Sequence, residues 1–398
     1  MSTTETKRGV FALMAAHCAG MLDLVALPVW VNTLIVQYHF GPQQAGGLAT
    51  LFLAGASLAS LAFAPRFTRH RPKVMAVAGF AVAAVTFLVA SRTQAYPLLA
   101  ALHFVGGLAA GTALSFTHGT IGHAGNPHRV FALVGLAIGV FGIAFLGGTP
   151  GLVARFGGPT LFIVFAGVMG GAALVGAFLF PRGTRHIASD DAEATPARLL
   201  PLGREVWFSV IGVALLALTQ AMTLSFYQRI GLARGFGLSG VTLALVIYGI
   251  VTLFPAPLAA VLEKRVPAPF VISTIPLFQA VFAMIITHTH SYLLYAVSGP
   301  MMAFTILFVH TYAFGLLARL DPSGRTVAGT PAMLMVGAAM APFIGGTLVR
   351  FIGFGAIGYC AAMFVAMELT LFNFTRLRLR KRAWGEKPLA QGVAPVSR

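Results

Sequence analysis

Charge is what this 398-residue chain has least of. Asp, Glu, Lys and Arg together make up 9% of it, against roughly 25% in a soluble domain. That scarcity excludes a soluble globular fold, because too few polar groups exist to cover a water-facing surface, and it makes lipid the main solvent. Acids are scarcer still, ten against 27 Lys and Arg. The only two cysteines, Cys18 and Cys360, both fall inside apolar stretches, so there is no disulfide framework. The GxxxxGK[ST] loop is missing, which excludes an ATP-driven pump on this chain alone. No HxxxH or Cys/His cluster exists, so no metal site is expected. No convergent set of nucleophiles or acids suggests an enzyme, and no cofactor is expected. The net charge of +17 is spread over short loops and the C-terminal tail. That pattern fits attraction to anionic lipid head groups, not nucleic acid.

What the chain does have is apolar length. Hydrophobic residues make up 58%, with 45 glycines, as close packing of membrane helices requires. The apolar runs cover about 9–37, 44–65, 74–91, 96–122, 129–153, 158–180, 205–232, 239–262, 268–287, 291–318, 327–349 and 355–375. A helix needs ~20 residues to cross a bilayer core of ~30 Å, and only the third run, of 18 residues, is shorter. Strands of a membrane barrel would be ~10 residues long and alternate in polarity, which these do not. The first run is too long for a cleavable signal peptide. Twelve spanning helices are predicted. Five of the 27 Lys and Arg (Arg92, Arg155, Arg229, Arg234, Arg350) fall on one face and the other 22 on the opposite one. Positive charge stays inside, so both termini are predicted to be cytoplasmic.

The polar segment 182–203 divides the runs six and six. It predicts a first bundle over 1–181, a cytoplasmic hinge, a second bundle over 204–376 and a basic cytoplasmic tail over 377–398. The bundles are copies of one another. Phe40 and Gly41 match Phe236 and Gly237 at an offset of 196, and Arg129, after Asn126 and Pro127, matches Arg325, after Asp321 and Pro322. Phe145, Gly147, Gly148 and Thr149 match Phe343, Gly345, Gly346 and Thr347 at 198. Asn or Asp before Pro is also a helix start, a cap followed by a residue that needs no donor.

These features together resemble the major facilitator superfamily over essentially the whole chain. The resemblance implies an all-α membrane fold, with twelve helices in two pseudo-symmetric six-helix bundles around a central cavity. It also implies gating by the short cytoplasmic loops. In the first half, Arg66, Arg69 and Arg71 match the family's basic loop, with Pro65 where an acid usually stands. In the second, Glu263 and Lys264 keep an acidic-basic pair. His103, Gly107 and Gly111 match a segment of the fourth helix in which many members carry Arg first. The proline-glycine signature of antiporters is absent from the fifth run, and Pro342 places a similar sequence in the eleventh.

Two acids lie inside apolar runs, Asp23 and Glu368, and a membrane carboxyl needs a reason. Glu368 lies eight residues from Arg376 in a run peripheral in the family, and a packing role is expected of it. Asp23, near the middle of the first run, is expected to serve the substrate or proton pathway; the alternative is a structural hydrogen bond. Trp30 and Gln37 share its helical face, and Pro28 is expected to kink the helix there. In the seventh run Gln220, Thr223 and Tyr227 form one polar face, either part of the pathway or an interhelical clamp. His118 and His310 occupy comparable places in the two halves and join the candidates, as does His103. His17, His118 and His310 could equally be interhelical hydrogen bonds. The reading is secondary active transport of a small organic solute by alternating access, coupled to protons, by a monomer in a bacterial inner membrane. The alternatives are an uncoupled facilitator and a transporter-like sensor.

Overall fold

A computed structural model describes residues 6–63, 70–181, 202–321 and 330–385. The hinge residues 182–201, together with Arg66 and Arg69, lie outside the described residues. Among those described the regular structure is all helix, as lipid requires of any chain that cannot close a barrel, since a helix satisfies its own backbone groups. The first half holds α1 (Lys7–Gly20), α2 (Leu22–Val36), α3 (Pro42–Phe63), α4 (Pro72–Ala90), α5 (Tyr96–Gly122), α6 (Pro127–Phe156) and α7 (Pro159–Leu179). The second holds α8 (Arg204–Ala233), α9 (Gly237–Val251), α10 (Pro255–Leu262), α11 (Ala268–Thr274), α12 (Pro276–His288), α13 (Tyr292–Leu320), α14 (Thr330–Phe351) and α15 (Gly355–Gly385). Proline opens most of them, at the first turn, where its missing N–H costs nothing. Asn126 caps α6 by accepting from the Arg129 N–H at 3.0 Å.

Among the described residues twelve stretches are long and apolar enough to cross a membrane, because three crossings are each built from two helices. Between α9 and α10 the Leu253 and Phe254 N–H groups bond three residues back, at 3.2 Å each, tightening the turn before Pro255. Pro276, without an N–H, separates α11 from α12. The break in the first crossing lies at Met21 (φ −103, ψ 10), not at Pro28, through which α2 continues. The outer faces are apolar: Phe178 is 81% and Ile352 74% exposed, side chains that only lipid would cover.

The internal repeat is written into the backbone. His39 (φ 56) and Gly235 (φ 80), 196 positions apart, both turn left-handed after the first and seventh crossings. Gly157 (φ 86) and Gly353 (φ 115) do so at the same offset before α7 and α15. Asn126 (φ −131, ψ 81) and Asp321 (φ −126, ψ 85) adopt one conformation before their prolines, the extended kind that a following proline favours. The halves meet through α2 on α8, α3 on α14 and α6 on α9. The α3–α14 seam is the tightest, since a Cβ on Gly46 would meet the Pro342 carbonyl and one on Gly346 the Pro42 carbonyl.

Candidate functional site

Asp23 explains the break in the first crossing. Its Oδ1 accepts the Leu24 N–H at 2.8 Å, a donor that an unbroken helix would send to the carbonyl of Gly20. The Val25 N–H reaches back to the Met21 carbonyl only at 3.5 Å. The carboxyl thus sits in the first turn of α2, where backbone N–H groups and the helix dipole favour negative charge. It is 2% exposed, its Oδ2 has no hydrogen-bond partner, and no cation among the described residues pairs with it.

Trp30 and His103 are brought together, but inside the first bundle. Their rings stack at 5.4 Å between centroids, and Phe52, Phe87 and Phe165 meet Trp30 edge-on at 5.3, 6.2 and 4.9 Å. Phe87 and Phe162 close around His103. The His103 Nδ1–H donates to the Leu99 carbonyl at 2.7 Å, leaving Nε2, like the indole N–H of Trp30, without a partner. No hydrogen bond links Asp23 to His103. His17 and His118 face each other across α1 and α5 at 3.0 Å, and His310 packs on Phe314 at 5.0 Å.

The polar face of the seventh crossing is divided among neighbours. Gln220 donates to the Tyr248 hydroxyl at 2.9 Å, Thr223 to the Thr219 carbonyl at 3.0 Å and Tyr227 to the Tyr295 carbonyl at 3.1 Å. Of the loop residues, Arg71 is exposed at the start of α4. Glu263 pairs with Arg319 at 2.6 Å inside the second half, and Lys264 is exposed. Glu368 is fully buried, with neither carboxyl oxygen partnered. Arg376 bonds Ser273 instead, at 3.2 Å.

A crevice of about 180 Å³ opens between the halves at the helix ends next to the 37–41 and 234–236 links. Its walls are Val29, Asn32, Thr33, Val36 and Gln37 from the first crossing, Pro150, Val153 and Ala154 from α6, and Gln228, Leu232 and Leu238. Asn32 is 7% and Gln228 3% exposed, and the side-chain oxygen of each lacks a partner. The two stand 196 positions apart, at the offset of the internal repeat. Sequence reasoning passed over both, because it followed the face of Asp23; applying the repeat offset to each polar residue of the first run would have found them. Of the face predicted from Asp23, only Gln37 reaches the crevice, since Trp30 turns into its own bundle.

A sequence model of the Major Facilitator Superfamily matches residues 12–330. No curated protein sequence is similar enough to match. Among solved structures, a variant of the nucleoside transporter NupG superposes with a TM-score of 0.75 at 11% identity, covering 92% of this chain and 99% of its own. A bacterial homolog of the human lysosomal transporter Spinster, inward-facing and occupied, gives 0.68 at 14% identity, covering 96% and 98%.

Proposed function

The chain belongs to the Major Facilitator Superfamily, and from that premise we propose that it moves a small organic solute across a membrane by alternating access, driven by a proton gradient through Asp23. Membership and the twelve crossings point to a multi-pass membrane transporter rather than an enzyme. The observation that carries the coupling is the carboxyl of Asp23, buried at a break in the first crossing, with one oxygen held by Leu24 and the other free. A free carboxyl oxygen gives a proton a place to bind. Neutralising it removes the cost of carrying a charge through a state closed to both sides. The break lets α1 and α2 move separately, so protonation can act on the contact of α2 with α8.

In this reading Trp30 and His103 brace α2 from inside the first bundle, and His17 with His118 ties α1 to α5. Arg71, Glu263 and Lys264 belong to the loops at the cytoplasmic end of a bacterial inner membrane. The test uses reconstituted vesicles with an imposed pH gradient. Asp23→Asn is expected to abolish uphill accumulation, so that the internal solute concentration only reaches the external one, while solute exchange across the same vesicles persists. Full accumulation by the variant would remove Asp23 from the coupling, whereas downhill flux that the pH gradient leaves unchanged in the native protein would leave an uncoupled facilitator.

A further inference from the structure

We propose that the crevice between Asn32 and Gln228 is a vestibule site that receives an uncharged, hydrogen-bonding solute before it reaches the level of Asp23. This deepens the transport reading and rests on it for the solute's onward path; the site itself has its own grounds.

The first ground is the pair of carboxamides. Each is more than nine-tenths buried, each lines the crevice, and each has a side-chain oxygen with no donor. A buried carbonyl left without a partner is costly, and a carboxamide can both accept and donate. A guest that offers hydroxyl or amide groups would supply the missing partner once each side chain turns its oxygen into the crevice. The second ground is charge. None of the crevice walls carries an ionisable side chain, so a charged solute would lose its water and gain no counter-charge. The third is size: about 180 Å³, below the roughly 300–1,000 Å³ of drug-sized pockets. That is room for a small polyol, a sugar or an amide-bearing ring, with Val29, Pro150, Val153 and Leu232 against its apolar faces.

Symmetry gives the site its purpose. Asn32 belongs to the first half and Gln228 to the second, so one bound solute would be held by both halves at once. Binding would then favour their approach at this end. Asn32 lies nine residues from Asp23 along one helix, or ~13 Å, which makes this a site above the carboxyl and distinct from it.

The experiment takes the purified full-length protein and two sets of probes. Xylose, myo-inositol, uridine and nicotinamide are uncharged; lactate, glutamate, choline and lysine are charged. Binding is read by titration calorimetry, and flux in reconstituted vesicles. At least one uncharged probe is expected to bind and no charged one. Asn32→Leu and Gln228→Leu should each weaken that binding about tenfold or more, as expected where a site's hydrogen-bonding group is lost. The native protein alone decides the charge class, whether or not the variants fold. Binding without flux keeps the site and removes the transport reading. Binding of charged probes alone, of no uncharged probe, or uncharged binding unmoved by both leucine variants overturns the site.

Discussion

The phenol of Tyr227 donates to the Tyr295 carbonyl at 3.1 Å and that of Tyr295 to the Tyr227 carbonyl at 2.8 Å. Their rings are stacked at 4.3 Å and 9°. This reciprocal clamp ties α8 to α13 and turns Tyr227 away from the crevice. Gly299 makes it possible, since a Cβ there would strike the Tyr227 ring. Removing one hydroxyl costs a net ~1 kcal/mol. Tyr227→Phe and Tyr295→Phe are each expected to lower the thermal midpoint by about that much stability and to leave solute preference alone. Thermal unfolding and competition uptake on the same preparations check both halves of the statement. A changed preference at an unchanged midpoint would return Tyr227 to the solute's path.

At the scale of helices, the α3–α14 seam combines close backbones with a polar latch. Gln43 donates to Thr347 at 3.2 Å and accepts from Arg350 at 2.7 Å, while the Phe343 N–H reaches Thr50 at 3.2 Å. Small residues allow this approach, but the glycines are not equal. A Cβ at Gly346 meets the Pro42 backbone, one at Gly147 meets only the Val246 side chain at 3.0 Å, and one at Gly148 meets nothing within 4 Å. Backbone cannot yield as a side-chain methyl can. Gly346→Leu is therefore expected to cost about 1–3 kcal/mol or more of overpacking and most of the transport. Gly147→Leu should be intermediate and Gly148→Leu near normal. Uptake normalised to folded protein ranks them, and equal damage at all three would show that the close approach at the seam does not set the effect.

Over the whole molecule, orientation is the property that the fold leaves to charge. The helices would pack in the same way whichever end faced the cytoplasm, so packing alone does not choose the orientation. Of the 27 Lys and Arg, only five lie on the face predicted to be outside, and loop cations resist translocation. A reporter active only in the cytoplasm should therefore work when fused after Arg398 and fail in the loop at Thr93, with the opposite result for a reporter active only outside. The reversed pattern would place the Asn32 crevice on the cytoplasmic side and invert the direction assigned to the vestibule.

Twelve crossings and the internal repeat were legible in the sequence, because each depends on local composition or on a fixed offset. Apolar length is enough to choose a helix in lipid, and an offset of 196 survives whatever the helices pack against. The destinations of side chains were not legible. Trp30 shares a helical face with Asp23, but which face looks toward the other half is decided by the neighbours, here four aromatic rings that draw Trp30 inward. Pro28 was the visible reason for a kink, yet the break falls at Met21 because the Asp23 carboxyl captures the Leu24 N–H. Asn32 and Gln228 are unremarkable polar residues in sequence. Only the approach of α2 to α8 sets them on one crevice, since facing across an interface is a property of two helices and not of either alone.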